Sequence, residues 1–211
     1  MGFASIHSCA MRGMQLVSVT VEVHLANGLP GFTLVGLADT EVKEARERVR
    51  CAIQNAGLEF PTNKRITVNL APADLPKDSG RFDLPIALGI LAAHGQLDDA
   101  LLAQYEFAGE LSLSGELRPV RGALAMCLAL QSTGERTRLV LPVGSAEEAA
   151  LVPTAEVYRA QRLKDVVSRF ATTPPSTHLP AGDSSEEGWV RLRSPLQAAS
   201  FVTTTSEDLD L

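Results

Sequence analysis

Alternating apolar and polar residues mark the clearest strand of the chain. From Val17 to Leu25 every second residue is apolar, and the residues between them are polar. This period of two is typical of a strand with one buried face. The same pattern predicts shorter strands at 32–35 and 66–70, so the first half of the chain is rich in strands.

Apolar residues recur at helical spacing in other segments. A helix is predicted from Asp39 or Thr40, either of which can cap it, to a stop at Gly57. An apolar helix is predicted at about 83–94. A third helix, at about 120–132, is apolar almost all round and is therefore expected to be buried. The polar face of the first helix is interpreted as a solvated surface rather than a docking face. That face carries Lys43, Glu44, Arg46, Glu47, Arg48 and Arg50.

Strands and helices alternate in the last third of the folded part. Two strands, 105–113 and 115–119, are predicted to join tightly at Ser114-Gly115. A strand at 138–141, a helix opened by a capping box at Ser145, a strand at 156–158 and a helix at 163–170 follow. Such alternation indicates a parallel layer. The whole pattern predicts an α+β fold with a mixed sheet.

Composition changes near Ala171. Beyond it the chain is rich in Pro, Ser and Thr, and it carries six acidic residues against two arginines. Such a stretch buries too little apolar area to offset its ordering entropy. Residues 1–170 are therefore interpreted as the folded domain and 171–211 as a flexible linker or tail.

Charge and cysteine content narrow the function classes. The 211 residues carry a net charge of −6, so any contact with nucleic acid must be local. The three cysteines lie far apart and form no C-x-x-C pair, which argues against disulfides and zinc and favours a reducing, cytoplasmic compartment. The four histidines have no ligand spacing. The longest apolar run, 84–93, is too short for a membrane helix, so no membrane partner is expected.

The loop between the strand at 66–70 and the next helix is distinctive. It holds Lys77 and Arg81, and Pro76 and Pro85 limit its freedom. Cations and backbone N–H groups before a helix could bind an anion. The structural alternative is a rigid loop in which Asp83 caps the helix, and turn chemistry makes that the more common arrangement.

Three long segments carry a family resemblance. They are VEVHLANGLPGFTLVGL at 21–37, NLAPADLPKDSGRFDLP at 69–85 and GELSLSGELRPVRG at 109–122, together with KEARERVR at 43–50. They resemble the N-terminal domain of bacterial magnesium-chelatase-like competence proteins, the ComM/YifB family. The resemblance implies a fold like the Lon proteolytic domain and the second domain of a small-subunit ribosomal protein. It also implies that an AAA+ ATPase module follows, about where this chain ends.

The resemblance to Lon raises a peptidase alternative. Lon reads P-K-D-G-P-S-A-G around its serine nucleophile, whereas this chain continues from Pro76-Lys77-Asp78 so that Phe82 or Asp83 takes the nucleophile's place. Leu124 stands where the lysine base is expected. Without a positioned base a serine is a poor nucleophile, so no peptidase activity is expected. A chelatase-type subunit is a third possibility, suggested by the family's name.

The family resemblance implies a role in DNA processing. Whole members are implicated as hexameric, ATP-driven DNA helicases that promote branch migration during natural transformation and homologous recombination. This chain has no G-x-x-x-x-G-K-[ST] loop, so ATP and Mg²⁺ are expected only on the ATPase module, and this domain is expected to be non-catalytic and to serve ring assembly, DNA guidance or both. The candidate contacts with DNA or a neighbouring subunit are Lys64, Arg65, Lys77, Arg81, Arg118 and Arg121.

Overall fold

A mixed sheet organises the structure, a computed structural model that describes residues 2–13, 15–37, 39–73, 80–132, 138–172 and 188–195. The strands within these residues are β1 (Gly2–Arg12), β2 (Gln15–Ala26), β3 (Gly31–Val35), β4 (Arg65–Ala71), β5 (Tyr105–Phe107), β6 (Glu110–Leu111), β7 (Leu117–Arg118), β8 (Arg138–Pro142), β9 (Glu156–Ala160) and β10 (Trp189–Leu192). The helices there are α1 (Asp39–Asn55), α2 (Asp83–Ala93), α3 (Asp99–Leu102), α4 (Ala123–Ser132), α5 (Ser145–Ala149) and α6 (Leu163–Phe170).

Within the described residues the main sheet has eight strands in the order β10-β9-β8-β5-β1-β2-β4-β3. Strands β1, β2 and β4 pair antiparallel, and β3 pairs parallel with β4. Strands β1, β5, β8 and β9 pair parallel in succession, as the alternation of the last third predicts. The α+β class with a mixed sheet is confirmed. None of the helices in the described ranges is long and apolar enough to cross a membrane.

Helix α2 lies at the centre of the core. It packs against β1 and β2, and nearly all of its residues are buried. At Gly89 an added Cβ would come within 2.6 Å of Val23 Cγ2, so glycine lets the helix approach the sheet closely. Helix α1 covers α2 with its apolar stripe and ends at Asn55. Gly57 (φ +73°) follows as the expected left-handed cap, and Leu58 N–H bonds to Ile53 O at 3.1 Å.

Two segments of the second half depart from expectation. The predicted strand 105–113 is interrupted, because Gly109 O accepts from Leu84 N (3.0 Å) and Gly109 N donates to Arg81 O (2.9 Å). These bonds tie the break to the loop before α2. Helix α4 is only half-buried, since Leu128 is 53% exposed although the sequence suggests burial. One face of this largely apolar helix is therefore exposed to solvent.

The capping box expected at Ser145 does not form, because the N-cap lies one residue earlier at a glycine, which has no capping side chain. Gly144 is the N-cap, and the Glu147 carboxylate accepts from its N–H. Ser145 Oγ instead exchanges hydrogen bonds with the Val120 backbone, at 2.9 Å to its nitrogen and 3.0 Å to its oxygen. A buried hydroxyl with two backbone partners anchors the segment before α4 rather than the helix start.

Part of the expected linker belongs to the sheet. Strand β10 pairs antiparallel with β9, and the Trp189 ring stacks on Tyr158 with centroids 5.2 Å apart. Phe170 meets the same indole edge-on at 5.8 Å. Aromatic area of this kind offsets the entropy of ordering four residues. The linker interpretation is therefore corrected for 188–195, and 173–187 and 196–211 lie outside the described residues.

Candidate nucleic-acid interface

The candidate cations do not converge on one loop. Lys64 and Arg65 stand at the start of β4, whereas the distinctive loop follows the end of that strand at Ala71. Seven strand residues separate the two ends by about 20 Å. Lys64 and Arg65 therefore do not lie around the same loop as Arg81.

Arg81 is an interior residue. It is 4% exposed, and its guanidinium donates to Arg121 O (Nη2, 2.7 Å) and to Cys9 O (Nη1, 3.5 Å). These bonds fasten the loop before α2 to β1 and to the segment that leads into α4. A side chain so placed cannot contact DNA, so the expectation for Arg81 is corrected. Lys77 lies outside the described residues.

The remaining candidates are at the surface. Arg118 is exposed on β7 and pairs with Glu110 across the hairpin at 3.5 Å. Arg121 and Arg65 are exposed, and Lys64 is half-buried. A surface ion pair contributes only about 0–1 kcal/mol, so Arg118 could exchange Glu110 for another anion at little cost.

The positions that correspond to a Lon-type dyad hold structural residues. Counted along the Lon motif, the serine position falls on Arg81, one residue before the expected Phe82 or Asp83. Arg81 is 4% exposed, and Phe82 and Asp83 are each 1% exposed. Asp83 accepts from Arg48 Nε at 2.6 Å, Arg48 Nη2 at 3.2 Å and Leu111 N at 3.1 Å. Burial raises the pKa of Asp83 to about 6, against the opposing effect of Arg48. Leu124 replaces the base, so the arrangement offers neither a free nucleophile nor a general base.

Arg48 is the residue that sequence reasoning placed on the wrong face. The sequence groups it with the solvated charges of α1, yet its side chain is 17% exposed and reaches a buried carboxylate on α2. The signal was present, because Arg48 follows Ala45 by three residues and precedes Ala52 by four. Those intervals put it on the apolar stripe.

The buried thiols do not supply a nucleophile either. Burial raises the pKa of Cys9 well above its usual value and that of Cys127 to about 11. Both are thus neutral at physiological pH, and only the thiolate is reactive.

A basic groove opens between α1, β3 and the start of β4. It has a volume of about 340 Å³, and its walls include the rings of Phe32 and Phe60. Arg46, Arg50 and Lys64 supply three cations to its lining, against the single carboxylate of Glu47.

The aromatic rings and cations of this basic groove are in contact. The Phe32 and Phe60 centroids are 6.2 Å apart at 44°, and Arg46 Cζ lies 5.6 Å from the centre of the Phe32 ring. Lys64 Nζ donates to Asn27 Oδ1 at 2.8 Å and so fixes the rim. Sequence spacing shows that Arg46 and Arg50 share a helix face. The pairing of Phe32 with Phe60 depends on β3 and β4 lying side by side, which no local pattern reveals.

Known proteins establish the family of this chain. Residues 21–145 match the family model described as subunit ChlI of Mg-chelatase. The competence protein ComM of Haemophilus influenzae is 54% identical over 167 residues, which cover 79% of this chain and 32% of that protein. The chain belongs to the ComM/YifB magnesium-chelatase-like family. YifB proteins of Salmonella typhimurium and Escherichia coli are each 47% identical, over 79% and 72% of the chain and 32% and 29% of those proteins.

The match confirms the resemblance drawn from the three sequence segments. This ComM/YifB chain spans about a third of the length of the curated relatives it matches. Similarity over that share identifies the domain. The activity of the remaining two thirds of a relative does not follow from it.

Proposed function

We propose that this chain is the non-catalytic N-terminal domain of a hexameric AAA+ DNA helicase that drives branch migration during natural transformation and homologous recombination. In this role it contributes ring assembly, DNA guidance or both. The observation that carries the proposal is the 54% identity, over 79% of the chain, with a protein named for competence.

The geometry supports a role that depends on surfaces rather than on chemistry. Asp83 is held by Arg48 and Leu111 N–H, and Leu124 has no titratable group. A degenerate peptidase is therefore disfavoured. A chelatase-type subunit is the remaining alternative, and the description of the matching family model favours it. A stable complex with a tetrapyrrole-handling protein would support that alternative.

The proposal assigns nucleotide binding to another part of the protein. Neither a phosphate loop in the sequence nor a group of three metal-ligating side chains in the described residues offers a site for ATP and Mg²⁺. Both would bind to the AAA+ module. The domain itself would adopt a Lon-like fold and work in the cytoplasm. Its candidates for DNA or subunit contact are the exposed Arg65, Arg118 and Arg121 and the half-buried Lys64.

Electrophoretic binding to a labelled four-way junction tests the proposal. The 211-residue chain and a longer protein that carries it ahead of the AAA+ module are compared between about 50 and 200 mM salt. Binding by the longer protein that weakens as salt rises is the expected result. Absence of junction binding by both proteins at low salt would reject the DNA role.

A matched control guards against non-specific charge effects. Lys164 and Arg169 are exposed cations on α6, and the double change Lys164→Ala/Arg169→Ala removes the same charge as a pair of candidate contacts. This control is expected to bind the junction like the unchanged protein. Equal weakening by the control and by Arg118→Ala/Arg121→Ala would show that only net charge matters.

A further inference from the structure

The basic groove carries an excess of positive charge that the described residues do not neutralise. Its cations are Arg46, Arg50 and Lys64. Among the described residues, Arg46 and Arg50 form no ion pair, and Lys64 bonds only to the neutral amide of Asn27. Unpaired cations around a concave surface attract a polyanion and raise its association rate.

The same groove presents aromatic rings. Phe32 and Phe60 are half-buried, so each anchors in the core while part of the ring faces the groove. Arg46 lies over Phe32, which leaves Phe60 as the less covered platform. Rings beside cations are the combination that holds unpaired nucleotides, by base stacking and by phosphate contacts.

We propose that the groove lined by Phe32, Phe60, Arg46, Arg50 and Lys64 binds single-stranded DNA. This inference rests on the proposed function and names the surface through which the domain guides DNA. The Phe60 ring stacks on a base, and Arg46 and Arg50 contact neighbouring phosphates.

Groove size and chemistry favour a single strand over a duplex. A volume of about 340 Å³ is at the small end of ligand sites, which span roughly 300–1,000 Å³, and suits one base with its sugar. Bases within a duplex stack on one another and cannot lie on a phenylalanine ring. A protein segment is the rival occupant, because β3 is the last strand of the sheet. Three cations against one carboxylate favour the polyanion.

Fluorescence anisotropy of a labelled oligothymidine strand, titrated with the 211-residue chain, tests the inference. Phe60→Leu keeps an apolar side chain but removes the stacking face, and we expect binding about 5- to 50-fold weaker. Phe60→Tyr restores a ring and is expected to bind within about twofold of the unchanged chain. Arg46→Ala/Arg50→Ala should reduce the log–log salt slope by up to about 1.4, at roughly 0.7 per phosphate contact.

The control variant is Lys164→Ala/Arg169→Ala, which removes two exposed helical cations outside the groove and should leave affinity unchanged. Circular dichroism confirms that each variant is folded. Unchanged affinity in all groove variants would overturn the inference but leave the proposed function standing.

Two other outcomes would also overturn the inference. One is a failure of the chain to bind single strands at all, in which case junction binding by the longer protein decides the proposed function separately. The other is groove variants that change sedimentation but not DNA affinity, which would make the groove a protein interface.

Discussion

The ion pair between Arg48 and Asp83 is expected to govern the stability of this domain and its dependence on pH. Asp83 is 1% exposed, and two guanidinium nitrogens of Arg48 lie 2.6 Å and 3.2 Å from its oxygens. Replacing Arg48 by methionine keeps much of the volume but leaves a buried carboxylate without its cation. Breaking a buried pair in this way costs about 3–5 kcal/mol.

The raised pKa of Asp83 fixes the direction of the pH effect. Burial raises this pKa from 3.8 to about 6 even with Arg48 present. The folded state therefore holds the proton more tightly than the unfolded state. The protonated Asp83 therefore stabilises the folded state, fully below about pH 4, and this stabilisation is lost as pH rises through 6. A pKa difference of about two units corresponds to about 3 kcal/mol of unfolding free energy that is lost by neutral pH.

Removal of Arg48 raises the pKa of Asp83 further, because the guanidinium is the main group that lowers it. The unfavourable ionisation then extends to higher pH. We expect Arg48→Met to lower the free energy of unfolding by about 3 kcal/mol or more at pH 8 and by clearly less at pH 5. Urea denaturation at the two pH values measures both quantities.

Two variants complete the test. Lys43→Met changes an exposed charge on the same helix and should alter stability by no more than about 0.5 kcal/mol. Asp83→Asn combined with Arg48→Met removes the carboxylate and should abolish the pH dependence introduced by the single change. A cost below about 1 kcal/mol for Arg48→Met, equal at pH 5 and pH 8, would refute the reasoning.

Three further substitutions test the core. Arg81→Met removes the donor to Arg121 O and should lower the free energy of unfolding by about 1–3 kcal/mol, measured in urea, while oligothymidine affinity stays unchanged. Gly89→Ala places a Cβ 2.6 Å from Val23 Cγ2 and should cost about 1–3 kcal/mol in the same assay. Trp189→Ala removes the stack on Tyr158 and should increase hydrogen exchange at the β9 amides that pair with β10.

Each of these has an outcome that contradicts it. Weaker DNA binding by folded Arg81→Met would return that residue to the interface. A Gly89→Ala protein as stable as the original would mean that the sheet shifts easily to make room for the added Cβ. If Gly89→Ala is destabilising, Val23→Ala should relieve the clash and restore part of the stability. Unchanged exchange in β9 after Trp189→Ala would show that β10 does not hold the sheet edge.

Period-two and helical patterns predict the elements that have one buried face. The alternation at 17–25 predicts β2 because its odd-numbered residues from Val19 onward are buried while the intervening residues lie toward the other face. The sequence places His7 on a strand, but it does not predict the bounds of β1, because Ser8, Cys9 and Ala10 are buried in succession and interrupt the period. The position of β1 inside the sheet, between β5 and β2, buries these residues whatever the alternation of apolar and polar residues.

The candidate site was harder to predict because charge alone does not reveal burial. Arg81 looks like a surface cation in sequence, and only the approach of Arg121 O and Cys9 O to the same point places it inside. The contact between Phe32 on β3 and Phe60 in the segment before β4 likewise joins residues that lie far apart in the sequence. Contacts between residues distant in sequence carry no local pattern.

ATP-driven branch migration is the measurement that tests the central claim most directly. A protein that carries this chain ahead of its AAA+ module is compared with the same protein lacking residues 1–195, on a labelled three-strand junction, with ATP hydrolysis and sedimentation recorded in parallel. If the domain guides DNA or assembles the ring without catalysing hydrolysis, its removal abolishes migration while the AAA+ module still hydrolyses ATP. Migration at the original rate without residues 1–195 would contradict the account.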